Sequence, residues 1–162
     1  RDALYYGSGK GIGFVKLTDG NKPVRFSEQI KRMSLGAVND ICYSADTSEL
    51  WLATAGNGIV KLTETGSRFY LDKMPADKRM INAMACDKEG KIWYTSQNYG
   101  LNRLNNNQGE SVDHLKNMNY SAINTLFIDY KDNVVTIHDD FISIFNPNSK
   151  QQYSQIGDFG FT

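Results

Sequence analysis

The sequence carries no excess of charge of either sign. Its 18 basic residues balance 18 acidic ones, which leaves no basic face of the size that a nucleic-acid backbone requires. No apolar run approaches the length of about 18 residues that marks a membrane-spanning helix, so no span is expected in this segment. A charged-then-apolar leader is also missing: the chain opens Arg1-Asp2-Ala3-Leu4-Tyr5-Tyr6, and an exported form is expected to have lost its signal or to carry it upstream. Nor does any apolar run have the length of an ordinary helix.

Cysteine is scarce, with only Cys42 and Cys86. One disulfide is the most that two cysteines allow, and the repeat described next argues against it. Cys42 is the fifth residue of its unit and Cys86 the sixth of its own, so they should point to opposite faces of their strands. Two small buried thiols are expected instead. Hydrophobic residues at 40% and aromatics at 12% do place the 162-residue chain among globular domains with a sizeable core.

What is present is a repeat. Val38-Asn39-Asp40-Ile41, Ile81-Asn82-Ala83-Met84 and Ile123-Asn124-Thr125-Leu126 begin alike, 43 and then 42 residues apart. Each is followed by a polar turn: Asp46 to Glu49, Asp87-Lys88-Glu89-Gly90, and Asp129 to Asn133. Second runs follow at Leu50-Trp51-Leu52-Ala53-Thr54, Ile92-Trp93-Tyr94-Thr95-Ser96 and Val134-Val135-Thr136-Ile137-His138. Third runs are Gly58 to Leu62, Gly100 to Leu104 and Phe141 to Phe145. Weaker fourth runs lie around Arg68 to Leu71, Ser111 to His114 and Gln152 to Ser154. At the chain start Leu4-Tyr5-Tyr6 matches Leu50-Trp51-Leu52, and Gly13 to Thr18 matches Gly58 to Thr63. That first unit lacks an opening strand.

Four short runs per unit, rich in Val, Ile, Trp, Tyr, Phe and Thr and separated by turns, describe a four-stranded antiparallel meander. A period near 42 makes each meander a β-propeller blade, which buries its faces by stacking on its neighbours. The fold class is therefore all-β, with about 3.5–4 blades: a partial first blade at residues 1–33, then 34–76, 77–118 and 119–162. Trp51 and Trp93, with Tyr5 in the same place, are expected to fill the spaces between blades.

These residues resemble the two-component regulator propeller repeat: Val/Ile-Asn-x-Ile, then Asp-x-x-Gly-x-Ile-Trp-x-Thr, then Gly-Leu-Asn-Arg-Leu. Ile81 to Leu104 matches it best. The unit before it has an extra residue in its first turn, and the unit after it has Val135 for the Trp and Phe141 for the Gly. The resemblance implies seven-bladed propellers forming the periplasmic sensor part of an inner-membrane hybrid two-component protein. It further implies recognition of glycan fragments and relay to a histidine kinase, whose catalytic domain is not in this segment. A ring of seven needs more blades than four, so the expected partners are remaining blades or further copies of the chain, besides an oligosaccharide. A protein–protein scaffold of the same architecture, or a propeller lyase or hydrolase, are the alternatives.

The chemistry-bearing residues are few. His138 beside Asp139 and Asp140 is the one cluster that suits acid–base work or a metal. A shortened turn explains the same residues. His114 falls in a fourth run. Gly7-Ser8-Gly9-Lys10-Gly11 lacks the spacing of a phosphate loop and reads as a turn. Residues 87–90 have too few spaced oxygens for calcium. Neither a cofactor nor a metal is expected, nor catalysis by this segment. In a propeller, one end of the axis is lined by the loops between second and third strands and by the connections between blades. That places Ser8, Lys10, Asn57, Gln97, Asn98, Tyr99, His138, Asp139 and Asp140 in the first set. Lys78, Arg79, Asn119 and Tyr120 fall in the second. Amides, an aromatic ring and mixed charge suit a hydroxyl-rich ligand.

Overall fold

The computed structural model describes residues 3–16, 23–24, 35–44, 49–63, 69–71, 80–96, 100–105, 108–111, 123–139 and 141–156. Among these residues, fifteen strands form four antiparallel sheets. The first is β1 (Ala3–Ser8), β2 (Gly11–Lys16) and β3 (Pro23–Val24). The second is β4 (Val38–Ser44), β5 (Glu49–Thr54), β6 (Ile59–Thr63) and β7 (Phe69–Leu71). The third is β8 (Ile81–Cys86), β9 (Ile92–Ser96), β10 (Gly100–Asn105) and β11 (Gln108–Ser111). The fourth is β12 (Thr125–Ile128), β13 (Val134–Ile137), β14 (Phe141–Phe145) and β15 (Gln152–Ile156). Each is a meander, and β4, β8 and β12 pack side by side as inner strands. The first sheet has three strands, and its β1 pairs and packs as a second strand would. Among the described residues no helix is long and apolar enough to cross a membrane.

The sheets stack because alternate residues along each strand face opposite neighbours. In the third blade Ile81, Met84, Ile92 and Tyr94 join Trp51, Ala53 and Ile59 of the second. The residues between them, Ala83, Ala85, Trp93 and Leu101, join Ile123, Leu126, Val134 and Phe145 of the fourth. A third cluster, Leu35, Val38, Leu50, Leu52 and Val60, takes Ile12 from the first blade. Gly7 lies so close to the second blade that a Cβ there would sit 2.8 Å from the Val38 carbonyl oxygen.

The tryptophans fill the interblade spaces as expected, Trp51 at 5% exposure and Trp93 at 1%. A cation covers each ring from the directly paired residue of the third strand: Lys61 over Trp51 at 5.1 Å and Arg103 over Trp93 at 5.7 Å. Trp93 also meets Phe145 edge-on at 5.9 Å. Tyr5 departs from the pattern at 41% exposure; among the described residues no inner strand pairs with β1. Tyr43, on the neighbouring β4, is exposed too.

The cysteines overturn the expectation of free thiols: Cys42 and Cys86 form a disulfide, with Cα atoms 5.9 Å apart. They do point to opposite faces of their own sheets. Stacked blades present opposite faces to one another, so that is the condition for them to meet. Two smaller differences concern register. Ser8 pairs with Gly11 as Thr54 closes on Gly58, so Gly11 and not Gly13 corresponds to Gly58. The slip is two residues and leaves every side chain on its expected face. In the third blade, β11 already begins at Gln108, three residues before the fourth run expected at Ser111.

Candidate functional site

At one end of the array the loops joining second to third strands meet the segments that lead into each blade. Backbone bonds knit them: Ala55 N–H to the Ala37 carbonyl at 2.9 Å, a bridge between Ala55 and Met80, and Asn124 N–H to the Ile137 carbonyl at 2.9 Å. Two of the loops are closed by the hydroxyl of the last second-strand residue. Thr54 Oγ1 donates to the Gly58 carbonyl at 2.7 Å and accepts from Asn57 N–H at 3.1 Å. Ser8 Oγ repeats this with the Gly11 carbonyl at 3.1 Å and Lys10 N–H at 3.2 Å. Gly9 and Lys10, between β1 and β2, are thus a clasped turn.

Of the residues expected at this end, Ser8, Lys10, Asn57, His138 and Asp139 are described. Arg79, Gln97, Asn98, Tyr99, Asn119, Tyr120 and Asp140, with Lys78, lie outside the described residues, as does His114. Asn57 is half-buried, and its Nδ2 donates to the Leu35 carbonyl at 3.0 Å, binding the loop to the segment leading into its own blade. His138 is 5% exposed. Its ring stacks on Phe141 at 3.9 Å, and its Nε2 lies 3.0 Å from Thr136 Oγ1. It replaces the hydroxyl clasp with a packed imidazole. Asp139 is exposed and accepts a hydrogen bond from Asn124 Nδ2 at 2.6 Å.

Four residues at this end escaped the sequence reading as site candidates: Asn39, Asp40, Asn82 and Asn124. Asn39 and Asn82 sit in β-bulges at the starts of β4 and β8, and Asn124 immediately precedes β12. Asn39 and Asn124 are exposed and Asn82 partly so. A bulge leaves one residue out of the ladder and re-aims its side chain. The inner edge of an inner strand has no strand to satisfy its backbone, and side chains of the preceding blade do so. Asn39 Nδ2 donates to the Ile81 carbonyl at 2.8 Å, and Asp40 Oδ2 accepts from Met84 N–H at 2.9 Å. Burial pushes the Asp40 carboxyl above its ordinary range, against the opposing pull of its backbone donors Met84 and Ile41. The signal was available as an Asn recurring every 42 or 43 residues, which served only as a repeat marker.

The opposite end carries the first turns. Asp87 Oδ1 accepts from Glu89 and Lys91 N–H at 3.0 and 2.8 Å, while Oδ2 accepts from Trp93 Nε1 at 2.9 Å. Asp129 does the same for Lys131 and Asn133 N–H. Its carboxyl is held below the ordinary range, first by the Asn133 side chain. These carboxylates are spent on turn backbone, and among the described residues no group of three His, Cys, Asp or Glu is placed to hold a metal ion.

No family model matches this sequence, and no curated protein matches it. Solved structures do. The extracellular domain of the hybrid two-component system BT4673 of B. thetaiotaomicron superposes with a TM-score of 0.76 at 17% identity, over 98% of this chain and 21% of that one. The extracellular domain of BT3049 from the same organism gives 0.71 at 15% identity, over 95% and 21%. The virginiamycin B lyase of Staphylococcus aureus gives 0.67 at 16% identity, over 98% and 60%. The chain spans about a fifth of the length of the two sensor domains. At these identities the likeness establishes a shared fold, which is that of β-propeller blades.

Proposed function

We propose that this chain is part of the extracytoplasmic sensor module of a hybrid two-component signalling protein, that it recognises glycan fragments in the periplasm, and that it relays binding to a histidine kinase. The observation that carries the reading is the superposition of nearly the whole chain on extracellular domains of two such systems. The Cys42–Cys86 disulfide supports a compartment outside the reducing cytosol. The amides of Asn39, Asn82 and Asn124 and the carboxylate of Asp139 at one end offer the donors and acceptors that a hydroxyl-rich ligand needs. Tyr99, Gln97, Asn98, Asn119, Tyr120, Arg79 and Asp140 belong to the same proposed region. Further blades, of the same polypeptide or another copy, are proposed to cover the exposed Leu4 and Tyr6 of the first sheet and Phe127 of the fourth.

Calorimetry of the purified chain against a panel of oligosaccharides tests this. Saturable heat with one glycan class, lost in Tyr99→Ala, is the expected result. Silence across the panel would remove the glycan reading and leave a protein–protein scaffold. The likeness to a lyase favours an enzyme as the second reading. His138 is its natural acid–base group, and its packing against Phe141 makes structure its first role. Turnover of a glycan abolished by His138→Ala in a chain of unchanged stability would reverse that order.

A further inference from the structure

Blades two and three are fastened in a way that blades three and four are not. Three positions along β4 reach across to β8: Asn39 to the Ile81 carbonyl, Asp40 to Met84 N–H, and Cys42 to Cys86. In the next seam the corresponding residues of β8 are Asn82, Ala83 and Ala85. The carboxylate and the thiol are both replaced by methyl groups, and among the described residues what remains is apolar packing with the exposed Lys88, whose ammonium pairs with Asp132 at 2.9 Å and donates to the Tyr130 carbonyl at 3.1 Å, surface contacts that contribute little. The disulfide lies beside Trp51 and Met84, within the apolar cluster of its seam, and both cysteines remain partly accessible.

We propose that Cys42 and Cys86 are an oxidative modification site, served by thiol–disulfide exchange with an oxidised dithiol partner, and that the bond turns blades two and three into one body. The Cys42 thiolate attacks one sulfur of the partner's disulfide and expels the other as a thiolate. The Cys86 thiolate then attacks the Cys42 sulfur of the mixed disulfide and releases the partner as a dithiol. Two electrons pass from the cysteine pair to the partner, and the two thiol protons end on it or in water. A shift in blade packing is then excluded from the second seam and left to the third, between blades three and four. The inference stands apart from the glycan reading, because it concerns fastening and not the ligand.

The test starts from the full chain, reduced and refolded, then exposed to oxidised glutathione. The expected product is lighter by two hydrogens, has no free thiol, and melts about 10 °C higher than the reduced chain. This follows from closing a loop of 44 residues in a chain of this size. Backbone amides of β4 and β8 should exchange more slowly after oxidation, and those of β12 should not change. The Cys42→Ala/Cys86→Ala double variant should melt with the reduced chain and ignore glutathione. If that variant fails to fold, the reduced wild-type chain makes the same comparison. Thiols that stay free or stop at mixed disulfides with glutathione, a melting shift under about 2 °C, or protection spreading equally into β12 would each overturn the proposal.

Discussion

Trp51 and Trp93 occupy the same place in successive repeats, yet replacing each with phenylalanine should cost different amounts. Both rings are buried between blades and lie under a cation from the third strand. The loss of ring area and shape is therefore nearly common to both and cancels in the comparison. The indole nitrogens differ. Trp93 Nε1 donates to Asp87 Oδ2 at 2.9 Å, whereas Trp51 Nε1 is buried with no partner among the described residues. A hydrogen bond to a charged group contributes about 1.5–3 kcal/mol, and a buried unsatisfied donor costs about 1–3 kcal/mol. Asp87 keeps its two backbone donors and water can reach it, so the first figure belongs at its lower end. Trp93→Phe loses that bond, and Trp51→Phe sheds an unsatisfied donor. The two variants should differ by about 2.5 kcal/mol or more, or roughly 5–10 °C in melting temperature for a chain of this length. Urea or thermal unfolding followed by far-ultraviolet circular dichroism measures it without relying on tryptophan emission. If Trp51→Phe proves as costly as Trp93→Phe, the reasoning fails.

Two further outcomes follow from the seams and from Asp40. Ala85 and Ile128 stand in the next seam where Cys42 and Cys86 stand in theirs, so Ala85→Cys with Ile128→Cys should close a second disulfide under oxidised glutathione, seen as the loss of two more free thiols. The Asp40 carboxyl is raised above 3.8 in the folded chain, so its contribution to stability is fully present below that value and is lost as pH rises through the folded pKa. Asp40→Asn should therefore gain relative to wild type between acid and neutral pH, read as a converging difference in urea midpoints; a difference independent of pH would argue against the burial.

Much of the architecture could be read from particular residues. Strand positions in the second to fourth blades, β11 apart, followed from β-branched and aromatic runs between polar turns. The turn at Asp87 was legible as a turn, but its grip on the Trp93 indole was not. In hindsight the residue six before Trp51 is Ala45, while the residue six before Trp93 is Asp87. The candidate site was legible only as a region. Asn57 and His138 looked like ligand groups because they lie in loops at the mouth, and both are engaged with their own blade. Asn39 and Asp40 looked like ordinary strand residues and instead serve the open edge of the next inner strand.

The amino-acid order alone determined the period, most of the strands and the side each residue faces. Those properties depend on alternation and turn chemistry over a few neighbouring residues. Only the stacked structure decided which face meets which, and hence that two cysteines of opposite orientation are bonded, that Tyr5 is exposed where Trp51 and Trp93 are buried, and that an asparagine marking the repeat also ties one blade to the next. Contacts between sheets join residues some 42 to 44 positions apart, and a strand's own pattern holds no record of the neighbour that will cover it.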